Sequence, residues 1–195
     1  MKTKLLLVAA ALPLAGCISF GAKPPPSLMT LDATSAPVAG AEQNSAKARS
    51  ITIQLPATPA SIAGARVPVQ ATPTTIAYVK DAQWAEPPAR LFARLLSDTV
   101  SARSNMVVLS TVQSIGDPSS TLAGELRRFG LDATTREAIV TYDAALTRAG
   151  KETVEKHRFE ARVPVAAMDA ASAGPAISQA ANQVAVEVAA WVAAG

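Results

Sequence analysis

Among its 195 residues the chain has one cysteine, Cys17, and one histidine, His157. One cysteine excludes an intramolecular disulfide, so the core must hold by packing alone. With that thiol at the end of a leader, a metal site would rest on carboxylates and one imidazole, and no suitable cluster of acids occurs. A serine nucleophile would have only His157 as its base. That histidine lies between Lys156 and Arg158 at a predicted strand start, and it reads as an exposed strand-end residue. Gly116 and Gly124 do not form a phosphate-cradling loop. Aromatic residues make up only 4% of the chain. With so few rings to stack on bases and no dense Lys/Arg run, a nucleic-acid partner is not expected. The leading apolar run, Leu5 to Leu14, is about half of the ~20 residues a spanning helix needs. No catalytic constellation emerges, and neither a cofactor nor a metal is expected.

What the sequence does have begins at Cys17. It closes Leu14-Ala15-Gly16-Cys17 after Lys2, Lys4 and the apolar run. This looks like a bacterial lipobox, where cysteine is acylated and the preceding peptide removed. The expected division is a signal peptide over 1–16, a lipidated tether over 17–26 and one folded domain over 27–195. Two or more acyl chains hold a protein stably at a membrane, so it is anchored to the bilayer and does not span it. In enteric bacteria an aspartate after the cysteine favours the inner membrane. Ile18 and Ser19 stand here instead, which points to the periplasmic face of the outer membrane. Lys2 and Lys4 leave with the leader and no acid does, so 16 cations face 15 acids in the mature chain. Pro24-Pro25-Pro26 predicts a stiff, extended segment that lifts the domain off the lipid surface.

Leu28 to Leu31 predicts a short strand, and 33–49 reads as loop. Alternation from Ile51 to Leu55 predicts a strand with Ile51, Ile53 and Leu55 on one face. Ala60 to Ala65 is weak in pattern. Val67 and Val69 around Pro68 suggest a brief edge strand, and Thr74 to Val79 another, followed by a turn at Lys80-Asp81. Glu86 to Arg103 is the clearest helix, with prolines in its first turn and a buried stripe of Phe92, Leu95, Leu96, Thr99 and Val100. Glu86/Arg90 and Arg94/Asp98 are spaced for ion pairs along it. Met106 to Leu109 predicts a strand in the sheet interior. Longer strands follow at Thr121–Leu131, Ile139–Thr147 and Arg158–Val165, the last two joined through Gly150. Asp169 to Ala194 reads as one or two helices interrupted near Gly174-Pro175. The elements give a mixed sheet covered by at least two helices, an α/β or α+β sandwich of one domain.

Two patches could serve recognition. Tyr78 and Trp84 would be an interface anchor, or would plug the strand-to-helix junction. Arg127-Arg128 would contact an acidic partner or lipid headgroups, or would form a solvated strand edge.

The run from Ile76 to Arg90, with Tyr78 followed by Trp84-Ala85-Glu86-Pro87, resembles the ABC-type transport auxiliary lipoproteins, the PqiC-like family. The lipobox, the strand ending at Leu55-Pro56, Gly124 to Phe129 and the closing Ala-rich helix support the likeness, which extends over about 27–192. Pro88 departs from it, where a larger apolar residue is usual, as does the weak segment from Ser61 to Arg66. The resemblance implies an α/β, three-layer domain with a mixed sheet. It further implies a non-enzymatic partner of an MCE-domain protein beside an ABC permease and ATPase. Such a protein docks the outer-membrane end of a conduit for phospholipids or other hydrophobic molecules, and self-assembly into rings goes with that role. A periplasm-facing lipid carrier, with lipid held between sheet and helix, is the alternative.

Overall fold

A computed structural model describes residues 27–46, 48–110, 113 and 119–194. Cys17, the leader and the expected tether lie outside these residues. The described elements run β1 (Arg49–Ile53), α1 (Ala60–Ala63), β2 (Arg66–Thr72), β3 (Thr75–Gln83), α2 (Pro88–Arg103) and β4 (Met106–Leu109). They continue with β5 (Ser120–Asp132), β6 (Glu137–Arg148), β7 (Val154–Pro164) and α3 (Ala170–Ala193).

Strand β5 organises the sheet. Along one side it pairs antiparallel with β6 from Ser120↔Arg148 to Asp132↔Glu137, and β7 pairs antiparallel with β6. The other side is shared in two halves. β1 pairs parallel at Thr52↔Thr121, and β2 pairs parallel at Val69↔Leu131. The chain leaves the sheet between them as α1. β4 adds parallel to β1, and β3 adds antiparallel to β2. Two turns fit their sequence. Gly150 takes φ +74 after β6, where a residue without Cβ costs least. Between β5 and β6, Asp132 Oδ1 accepts the Thr134 and Thr135 N–H groups.

α2 and α3 pack against each other, α2 towards β1 and β4 and α3 towards β6 and β7. Phe92 of α2 meets the Tyr142 ring of β6 edge-on at 5.3 Å. Ala173, Ala176, Ala180, Ala181 and Ala185 are buried on α3; their small side chains let the helix lie close to the sheet. Each larger side chain sealed here, such as Leu96, Leu126 or Val188, contributes about 1.5–3 kcal/mol of hydrophobic stabilisation. Helical cover is uneven. The other face of the sheet has the four-residue α1 at the seam between β1 and β2, and elsewhere it shows charged side chains.

The class, the mixed sheet and the helix pair match expectation. Several local readings do not. Of the expected first strand, only Met29 pairs, in a single parallel bridge to Trp84. β1 stops at Ile53, so Leu55 is 59% exposed, whereas Thr52 is buried. β2 is an inner strand: Pro68 is tolerated because the β2–β3 register shifts beside it. Lys80-Asp81 is a bulge within β3 and no turn, with Asp81 at φ +56. β4 lies at a sheet edge. Glu86 reaches Arg94 instead of Arg90. α3 is continuous through Gly174-Pro175. The N–H that Pro175 lacks would have served Ala171, in the first turn, so one bond is lost where the helix has fewest to lose.

Candidate functional site

β7 starts at Val154, which places His157 inside the strand and not at its start. Its exposed ring packs 4.3 Å from the Phe159 centroid and 6.0 Å from that of Trp191 on α3. Among the described residues no carboxylate or hydroxyl bonds to it to orient it as a base. Among the described residues no group of three or more His, Asp or Glu is arranged to hold a metal.

The two aromatic candidates part company. Trp84 is 1% exposed and tilts against Phe129 at 5.3 Å. Its backbone is fixed on both sides, by its own N–H to Ala65 O and by Met29 bridging Gln83 and Ala85. It has no surface to offer a partner, which corrects its reading as a direct contact. It plugs the junction where β3 turns into α2. Its indole N–H is buried without an acceptor among the described residues. Tyr78 is half-buried on the face of β3 that carries Arg66 of β2. The Arg66 guanidinium lies 3.7 Å from the Tyr78 ring centroid, and the phenol O–H reaches Ser61 O of α1 at 3.5 Å.

Arg127 and Arg128 sit where the β5–β6 register shifts. They belong to an inner strand, so the reading of a solvated strand edge is corrected. Arg128 pairs with Asp132 at 2.9 Å, and Arg127 approaches Glu125 and Asp143 at 3.3 and 3.5 Å. The ladder continues across the sheet. Arg158 grips both oxygens of Asp143 at 2.5 and 2.7 Å, and Glu160 meets Arg162 at 2.8 Å and the Thr141 hydroxyl at 2.8 Å. The Arg158 hydrogen bond holds the Asp143 carboxyl below the usual carboxylate range, with Arg127 adding to it. On the helix side, burial pushes the Tyr142 phenol far up, and its O–H donates to Ala123 O at 3.0 Å.

One depression adjoins these residues, and a second lies apart from them on α3. Ser61, Gln70, Ile76, Arg128 and Ile139 border a pit of about 50 Å³. An open groove of about 620 Å³ lies between Asp32-Thr34 and α3. At its floor Asn182 binds the Thr34 N–H and hydroxyl and the Asp32 carbonyl, all at 2.9 Å. Sequence reading missed Arg66 and the role of Asn182 in tying down Asp32 and Thr34. Arg66 carries no local signal, since its contact depends on the β2–β3 register.

The site thus offers paired charges, one cation on an aromatic ring and shallow relief. The family model for the ABC-type transport auxiliary lipoprotein component matches residues 30–189. This chain belongs to that family. The domain therefore belongs with cell-envelope lipoproteins that accompany ABC transport systems, and most of residues 27–195 is that family's domain. No curated protein matches the sequence. In fold, the lipoprotein is similar to the crystal structure of protein XCC0632 from Xanthomonas campestris, with a TM-score of 0.72 and 20% identity over 86% of this chain and 94% of that one. A crystal structure of an uncharacterised protein gives a TM-score of 0.65 at 18% identity, over 84% of this chain and 99% of the other. The described helices include none long and apolar enough to cross a membrane.

Proposed function

We infer that this lipoprotein is a docking component of an MCE-type ABC transport system that moves phospholipids or other hydrophobic molecules between membranes. Acylated Cys17 holds it on the periplasmic face of the outer membrane, and the folded domain grips an MCE-domain protein beside its permease and ATPase. The observation that carries this reading is the family match over residues 30–189. The chemistry of the surface supports it. His157 packs beside the Phe159 and Trp191 rings, and on the open sheet face Asp143 and Glu160 are paired with arginines, as suits a surface that binds protein. The carrier alternative has less support, because Phe92, Phe129, Tyr142 and Trp84 fill the space between sheet and helices.

Complementation of a deletion strain tests the reading. Cys17→Ser should lose function through loss of the anchor, and His157→Ala should retain it. Full loss with His157→Ala, in a normally folded protein, would overturn the non-enzymatic role.

A further inference from the structure

Three strands leave an edge of the sheet free among the described residues: β3, β4 and β7. A free edge invites pairing, and proteins blunt it with shortness, charge, proline or a bulge. β4 is only four residues long. β7 carries Lys156, Arg158, Glu160 and Arg162 on one face and ends in Pro164. β3 is protected at one end only, by the bulge at Asp81. From Thr75 to Tyr78 it is neutral and free of proline, and Ile76 is 45% exposed.

The backbone groups of this stretch can be placed. Gln70 O accepts from Ala133 N–H, so Gln70 turns its polar groups towards β5. Successive residues alternate, so Val69 turns towards β3 and its partner Ala77 turns back. Ile76 and Tyr78 therefore aim N–H and C=O away from the sheet. Further along the same line, the edge already takes an extended segment: Met29 N–H donates to Gln83 O and Met29 O accepts from Ala85 N–H, both at 2.8 Å. The side chains add a charge preference. Arg66, stacked on Tyr78, has no carboxylate partner among the described residues, nor does Lys80. Asp81, the nearest acid in sequence, pairs with neither.

We propose that the Thr75–Tyr78 edge takes up an extended segment of the envelope transport partner as an added strand, with an acidic residue set against Arg66 and Lys80. Main-chain bonds to Ile76 and Tyr78 supply affinity, and the cations supply direction and selectivity. The proposal rests on the docking reading above and names the place and mode of contact.

The test places a photo-crosslinking amino acid at Thr75 in the full lipidated chain, and maps the crosslink in membranes by mass spectrometry. It is expected in an acid-bearing extended segment of the MCE-domain partner. Ile76→Pro deletes an outward N–H and spares the β2 ladder, a position where edge proline is tolerated. It should keep the wild-type Tm and recover roughly tenfold less partner, whereas Ile76→Thr, which keeps the donor, should stay within about threefold. Lys80→Glu should also lower recovery, and it decides the matter with the crosslink if the proline variant melts early. Wild-type recovery by both Ile76→Pro and Lys80→Glu overturns the edge proposal and leaves docking intact. A crosslink to a second copy of this chain overturns the choice of partner. A wild-type chain that recovers no transport protein overturns docking, and the edge proposal with it.

Discussion

Asp143 sits between two guanidiniums, Arg158 at 2.5 Å and Arg127 at 3.5 Å, on a face of the sheet that no long helix covers. Its carboxyl is held low in the fold, so it gives up its proton more readily folded than unfolded. The stabilisation is present above the unfolded value near pH 4 and is lost as pH falls through the lower folded value. Both groups are well solvated, so the effect is small. Asp143→Asn should lower Tm slightly at pH 7, and the two proteins should converge in acid once the folded carboxyl is protonated, as acid titrations followed by circular dichroism would show. A gap that persists into acid would show that this pair contributes nothing through charge. Little of this was legible in the sequence, because Asp143, Arg127 and Arg158 come from three strands and meet only once the register is set. The buried stripe of Phe92, Leu95 and Leu96 was legible, because helix period alone places those residues on one face. Trp84 carried both readings in the sequence. What decides it is burial beside Phe129, a neighbour far away along the chain.

Elements were read well where one pattern governs them from end to end. β5 and β6 extend the expected spans by one or two residues at either end, α2 begins two residues after the expected Glu86, and α3 outlasts its glycine and proline because its alanines are packed. Failures cluster around β1 to β3, where two short strands share one side of β5 and bulges shift the register. Period-two alternation announces neither a bulge nor a strand's end, so Lys80-Asp81 reads as a turn and Leu55 as a further strand residue on the face of Ile51 and Ile53. The segment before β1 has no period at all, yet it is tied across the helices. Asn182 binds Thr34 and Asp32, Gln43 reaches Ser101, and Gly174 leaves room for Met29, whose sulfur would lie 3.1 Å from an added Cβ. Asn182→Ala removes the pin without changing the helix. Amide exchange at Thr34 should accelerate by roughly tenfold or more, with the sheet amides unchanged, for a net cost of about 1–3 kcal/mol. Unchanged exchange at Thr34 would mean that the other contacts, those of Met29 and Gln43, hold the segment without Asn182.

At the scale of the whole molecule, the proposed role is one of position and grip: acylated Cys17 would hold the domain in place and its surface would dock a partner. The candidate site was only partly legible. Cys17 and the Trp-Ala-Glu-Pro block stand out in the sequence, whereas the free β3 edge and the Arg66–Tyr78 stack exist only after β2 and β3 pair. Chemistry-bearing residues announce themselves by type. Docking surfaces depend on shape and on which backbone groups are left over. The most direct measurement is quantitative mass spectrometry of what co-purifies with the full acylated chain from detergent-extracted envelopes. The account predicts an MCE-domain protein together with its permease and ATPase, enriched over a Cys17→Ser control. Repeated recovery of the folded, acylated lipoprotein without any of these proteins would contradict it.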